Sequence, residues 1–206
     1  MSLFITFEGG EGSGKSVQAK ALYERLTGLS VPALRICEPG VTSLGKKIAY
    51  LLKWEQHTDI SPVAELLLFN ASRAQLVNKV IKPGLASGKV VICDRYADST
   101  TAYQGYGRGL DLEMVRTAND AGMQGVNPDL TFLLDIESEQ GFDRKREKGQ
   151  DRFEREKAAF HQRVREGYLK LAAAKPERWQ VVDASQSRTE VEKIIWEKVS
   201  RLLAVR

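Results

Sequence analysis

Cysteine and histidine are scarce in this chain: two of each in 206 residues, Cys37, Cys93, His57 and His161. Two cysteines cannot build a disulfide framework, and neither lies at a metal-ligand spacing from a histidine. Both close apolar runs of strand type, so buried, reduced thiols and a cytoplasmic setting are expected. No H-E-x-x-H and no Ser-His-Asp arrangement is present, which removes the zinc-hydrolase and triad classes. No apolar stretch approaches the roughly 20 residues of a membrane span. The opening run, Leu3 to Phe7, is too short for a signal-peptide core. Repeats, low-complexity tracts and Pro/Gly/Ser linkers are missing too, so one domain over residues 1–206 is expected. The charge is mild, +4, with no concentrated basic tail, which argues against a nucleic-acid partner.

Against these absences stands one dense motif. Residues 9–16 read Gly-Gly-Glu-Gly-Ser-Gly-Lys-Ser, directly after the apolar run and before a helical pattern with Ala19, Leu22 and Leu26 on one face. This is G-x-x-x-x-G-K-[ST] in the strand–loop–helix setting that gives the pattern its mechanism. Backbone N–H groups from Gly9, Gly10, Glu11, Gly12, Ser13, Gly14 and Val17 can cradle phosphate oxygens. Lys15 can reach the outer phosphates, and Ser16 can hold a Mg²⁺ ion.

Further apolar runs, 33–37, 90–93, 130–136 and 179–182, alternate with helical patterns. The chain therefore reads as α/β, with a five-stranded, mostly parallel sheet covered on both faces. Helices are expected over 14–27, 43–54, 61–87, 97–105, 111–122, 138–147, 153–175 and 187–204. In the third, Ser61 caps, Pro62 opens, and Val63, Leu67, Ala74, Val77 and Ile81 form the buried stripe, with a bend at Pro83. Residues 144–157 stand apart, with seven basic and four acidic side chains around a glycine. By composition alone they form a solvated corner.

Three other groups carry chemistry. Val90 to Cys93 ends in Asp94-Arg95-Tyr96, a strand-terminal carboxylate where phosphate-loop proteins approach Mg²⁺, followed by a guanidinium at the ligand-binding edge of the sheet. Asp135, at the end of another run, is the rival carboxylate. Phe69 and Arg73 share a helix face and can hold a flat, hydrogen-bonding base. Ser99-Thr100-Thr101-Ala102-Tyr103-Gln104-Gly105 offers hydroxyls, an amide and a ring beside them. The base-reading N/T-K-x-D of GTPases is absent, since Asn78-Lys79 continues into Val80-Ile81. A different small phosphate-loop kinase or a nucleic-acid-stimulated ATPase are the competing readings.

With Phe7-Glu8-Gly9, Glu38-Pro39-Gly40 and Thr42, Gly107-Arg108-Gly109, Pro128-Asp129-Leu130 and Asp183-Ala184-Ser185, these residues resemble bacterial thymidylate kinases from residue 3 to about 190. The resemblance implies a nucleoside-monophosphate-kinase-like phosphate-loop fold and transfer of the ATP γ-phosphoryl group to dTMP. That reaction gives dTDP, on the way to dTTP for DNA replication, with Mg²⁺. It implies that Phe69 stacks on thymine and that Arg73, Thr100 and Gln104 hydrogen-bond it. Tyr103 would crowd a ribose 2′-hydroxyl, and Arg95 would hold the acceptor phosphate. Glu11 would approach the sugar 3′-hydroxyl, with Glu38, Pro39 and Ser99 also in the acceptor site. Ala184 and Gln186 would lie beside adenine, and Ser16 and Asp94 would hold the metal. Residues 144–157 would form a lid. Because Gly12 occupies the position where some relatives carry a catalytic arginine, the lid would supply that charge from Arg144, Arg146, Lys148 or Arg152. A homodimer packed through helices including 61–87 is also implied. The chain departs from the family pattern at Cys37 and Val41, which replace an arginine and a glycine.

Overall fold

The computed structural model describes residues 2–55, 58–144 and 151–205. Five strands, β1 (Leu3–Glu8), β2 (Ala33–Cys37), β3 (Val90–Asp94), β4 (Leu130–Asp135) and β5 (Trp179–Asp183), form one parallel sheet in the order β2-β3-β1-β4-β5. All carboxyl ends therefore lie along one edge, and β1 sits at the centre with every residue buried. Its parity divides the work. Leu3, Ile5 and Phe7 join α1 (Lys15–Gly28) and α9 (Arg188–Val205) in the core on one face. On the other face Phe4 is apolar, but Thr6 and Glu8 turn polar toward the carboxyl edge. That change along a single strand marks the end at which ligands bind.

The remaining helices are α2 (Ser43–Lys53), α3 (Pro62–Leu76), α4 (Lys82–Ala86), α5 (Ala97–Thr100), α6 (Leu112–Met123), α7 (Ser138–Asp143) and α8 (Ala158–Ala174). The expected 61–87 helix is interrupted by a π segment, Val77–Ile81, which ends two residues before Pro83. A proline lacks the N–H that would close its turn, and widening the preceding turn accommodates that loss. A second π segment, Thr101–Gly107, continues α5 past the expected end at residue 105. Residues 153–157 are turn and bend rather than the start of α8, and residues 145–150 lie outside the described residues.

Two burial expectations are corrected. Val63 and Leu67 are exposed, and the buried face of α3 carries Glu65, Leu66, Asn70, Ser72, Arg73 and Leu76. Polar residues occupy the inner face because it borders a cavity, which leaves apolar ones outside. Cys37 is exposed, since β2 is an edge strand and Cys37 ends it at the site, whereas Cys93 on the interior strand β3 is buried. Among the described residues no helix is long and apolar enough to cross a membrane.

Candidate active site

The phosphate loop joins β1 to α1. Gly14 caps α1 in the left-handed region (φ 89°), and no side chain caps that helix. The first-turn N–H groups of α1 are therefore left for an anion. Lys15 Nζ donates to Gly10 O at 2.5 Å and Ser13 Oγ at 3.1 Å, holding the loop closed on itself. Burial, and then the nearby Arg95 cation, pull its pKa from 10.5 to about 8. A bound polyphosphate reverses that balance by supplying the counter-charge. Ser16 Oγ donates to Asp94 Oδ2. The rival carboxylate Asp135 is committed elsewhere, accepting from Arg165 Nε at 2.7 Å and Nη2 at 2.9 Å.

Gly12 has φ 68°, and a Cβ there would stand 1.8 Å from Gly141 O; a Cβ on Gly141 would stand 2.2 Å from Glu11 O. The loop and α7 thus meet backbone to backbone, so position 12 has no room for any side chain, arginine included. Arg144, one residue past α7, lines the cavity over Gly12, Lys15 and Ser16, with Nη1 donating to Ala184 O at 2.8 Å. Arg152 goes elsewhere: it donates to Leu52 O and to Glu65, away from the phosphate loop. Arg146 and Lys148 lie outside the described residues. Val17 is exposed at the rim of the phosphate cavity, Ala184 is buried against Asp135 O, and Gln186 is exposed beside Asp183.

A second cavity adjoins the first. Phe69, Arg73, Ser99, Thr100, Tyr103 and Gln104 line it, and Glu11, Glu38, Pro39 and Arg95 border both. The structure thus brings together every residue assigned to the acceptor side. Arg95 sits at the boundary in a left-handed backbone (φ 70°), a conformation that costs a non-glycine residue about 1–3 kcal/mol. That backbone turns its guanidinium back over Gly9 O (3.1 Å) and onto Glu11 Oε1 (2.5 Å), where Tyr103 Oη also donates at 3.0 Å. Arg73, 1% exposed, lines this cavity with its guanidinium in ion contact with Glu38 at 2.8 Å.

Several residues at the site escaped the linear reading. Tyr168 of α8 donates to Glu8 Oε2 at 3.0 Å and meets Arg95 Nη1 at 3.3 Å. Phe153 is buried with its ring 5.7 Å from that of Phe69, so this part of the expected lid closes over the acceptor cavity instead of standing in solvent. Glu65 lies beneath Gln104. Its spacing of four before Phe69 and eight before Arg73 was the signal for it. Lys53 and Asp151 border both cavities, 3.7 Å apart, and nothing local announces them.

Glu8, buried at the floor of the site, accepts from Tyr96 N at 2.7 Å, Ser99 Oγ at 2.5 Å and Tyr168 Oη. Burial, then the negative charge of Asp98, raises its pKa from 4.5 to about 7. Between those values the folded chain holds a proton that the unfolded chain has released, so stability falls as pH rises from about 4.5 to about 7. Melting temperature measured across that range should decline in the parent, and Glu8→Gln should remove this part of the slope. An unchanged slope in the variant contradicts the assignment.

A parallel sheet with a phosphate loop at its carboxyl edge and a second, aromatic-lined cavity alongside defines a phosphate-loop phosphotransferase that works between two nucleotides. Comparison with known proteins narrows the class. The thymidylate kinase family model matches residues 7–195. A thymidylate kinase of Dehalococcoides mccartyi (strain 195) is 54% identical over 203 residues, covering 98% of each chain. One from Roseiflexus sp. (strain RS-1) is 50% identical, covering 91% of this chain and 88% of its own. The crystal structure of thymidylate kinase from Ehrlichia chaffeensis superposes with a TM-score of 0.77 at 35% identity, covering 96% of this chain and 98% of that one. The chain belongs to the thymidylate kinase family, nucleoside monophosphate kinases that phosphorylate dTMP to dTDP with ATP.

Proposed function

We propose that this chain, a single domain working in the cytoplasm as a homodimer, transfers the ATP γ-phosphoryl group to dTMP where its two cavities meet. The observation that carries this reading is Arg95. It borders both cavities, and its Nε makes no hydrogen bond to another described residue, leaving a donor for an acceptor phosphate. Lys15 and the first-turn N–H groups of α1 face the donor side, and Phe69, Thr100, Tyr103 and Gln104 the acceptor side. Phosphoryl transfer passes through a loose transition state, so such a site acts by alignment and charge balance. The acceptor phosphate oxygen is already anionic and needs no strong base. Phe153 over the acceptor cavity and Arg144 over the donor cavity support a lid that excludes water as a competing acceptor.

The Ser16 hydroxyl and Asp94 carboxylate are adjacent hard oxygen donors, the type Mg²⁺ takes. No group of three His, Cys, Asp or Glu side chains forms a metal cluster among the described residues. That suits an ion that keeps waters and substrate phosphates as its other ligands. When bound, Mg²⁺ would neutralise charge on the transferred phosphate. Leu44, Tyr50 and Trp54 near α2, with Val63 and Leu67 on α3, leave apolar side chains exposed on two packed helices, which supports pairing of two copies there.

The test is ADP release in the presence of dTMP, dUMP, dCMP, GMP or thymidine, on protein whose native mass is measured in the same preparation. Preference for dTMP and a mass of two chains are expected. Hydrolysis stimulated by DNA and indifferent to dTMP would sink the reading.

A further inference from the structure

Two buried charges stand on α3, Arg73 in the wall of the acceptor cavity and Glu65 beneath it, and each is tied to one of the small polar side chains that line it. Arg73 commits all five of its N–H groups within the protein. Nε donates to Glu38 Oε2 at 3.1 Å, and Nη1 to Asn70 Oδ1 at 2.7 Å and Asn119 Oδ1 at 2.8 Å. Nη2 donates to Thr100 Oγ1 at 2.6 Å and to Tyr96 O at 3.4 Å, and lies in ion contact with Glu38 Oε1 at 2.8 Å. Thr100 therefore accepts from the protein and has its own hydroxyl hydrogen left to give. No described residue takes that hydrogen, so Thr100 can give a hydrogen bond to a group in the cavity, though its second lone pair stays open too.

Gln104 is arranged in the opposite sense. Its Nε2 donates to Glu65 Oε1 at 2.7 Å. A carboxylate only accepts, so this contact decides which end of the amide faces it. The carbonyl Oε1 points away from Glu65 and receives no hydrogen bond from any described residue, while Gln104 lines the cavity. Glu65, 1% exposed, is itself held by Arg108 (Nε to Oε1, 3.2 Å) and by Arg152. Swinging away would break its ion pairs with both guanidinium groups.

We infer that Glu65 is a specificity-positioning residue: by fixing the Gln104 amide it makes the cavity read a base edge that offers N–H to Gln104 and C=O to Thr100. The imide edge of a pyrimidine-dione has that order. A 4-aminopyrimidine in the same register sets a bare ring nitrogen against the Gln104 carbonyl, two acceptors with no hydrogen between them. Its amino group can still be accepted by the Thr100 hydroxyl, so the discrimination rests on Gln104. Thymine and uracil share the imide edge, so this device separates dTMP and dUMP together from dCMP, and is blind to the 5-methyl group. The inference rests on the acceptor cavity being the dTMP site. If the unmodified enzyme shows no preference for dTMP over dCMP, that reading fails before any variant is made.

The experiment measures kcat/KM for dTMP, dUMP and dCMP. Glu65→Gln places a side chain that can donate as well as accept opposite Gln104, freeing the amide to turn over. The dTMP-to-dCMP ratio should fall about tenfold or more, while the dTMP-to-dUMP ratio stays as in the parent. Glu65→Asp keeps a carboxylate for Arg108 and Arg152 but draws it back from Gln104, and should give the same split if Glu65→Gln does not fold. In a Gln104→Met background, Glu65→Gln should change the dCMP ratio no further. An unchanged dCMP ratio in either folded Glu65 variant, or equal falls in the dCMP and dUMP ratios, overturns the inference.

Discussion

Lys15→Ala is expected to lower turnover by roughly 10²–10³-fold, the loss typical when a single pre-aligned donor is removed from developing negative charge. Lys15 is 7% exposed and sits inside the phosphate loop, where its hydrogen bonds are to Gly10 O and Ser13 Oγ. Neither partner is a carboxylate, so the ammonium supports the loop without being neutralised by it. Its lowered pKa reflects a charge held in a poorly solvated place beside Arg95. Removing a desolvated cation costs the fold little, and the melting temperature should stay near that of the parent. Calorimetric binding of dTMP alone should also persist, since the acceptor residues are untouched. Steady-state ADP release checks the first expectation; near-normal turnover would remove Lys15 from the machinery.

Arg95→Ala should act on the other substrate. The expected loss in kcat/KM for dTMP is also on the order of 10²–10³-fold, with KM for ATP changed much less. Arg95→Lys tests the reason. Lysine keeps the charge, but it cannot present two parallel N–H groups to a phosphate while also holding Glu11 and Gly9 O. Most of the loss should therefore remain with lysine. If lysine restores the parent rate, a point charge is enough and the fork geometry plays no part. A shift confined to the KM for ATP would place Arg95 on the donor side instead.

The linear pattern reported the donor half of the site nearly completely. The phosphate loop is one run of consecutive residues between a strand and a helix, and local geometry alone brings its N–H groups, Lys15 and Ser16 together. Asp94 was legible as the end of a buried strand, and the five strands were placed to within a residue at each end. The acceptor half was legible only as a set of residue types. Phe69, Arg73, Thr100 and Gln104 line one cavity, but only the fold shows that Arg73 is also held by Glu38, Asn70, Asn119 and Thr100. Arg152 was expected over the phosphates and lies on Glu65. The buried stripe expected from hydrophobicity holds at Val77 and Ile81 and fails at Val63 and Leu67, because the helix face that borders a polar cavity buries Glu65 and Arg73 there instead.

Composition and local order by themselves determined a parallel α/β fold, a phosphate cradle, and an arginine at the ligand-binding edge. These follow from strand and helix periodicity and from glycines within one short loop. Only the tertiary structure decided which way the acceptor cavity is polarised and why Gly12 carries no side chain. Gly12 meets Gly141 across the fold, Arg73 meets Glu38 from another element, and Gln104 meets Glu65 and, through it, Arg152. A hydrogen bond spends a donor on one partner at the expense of another, and a backbone contact excludes a side chain. Both depend on what stands opposite in space, which spacing along the chain does not encode.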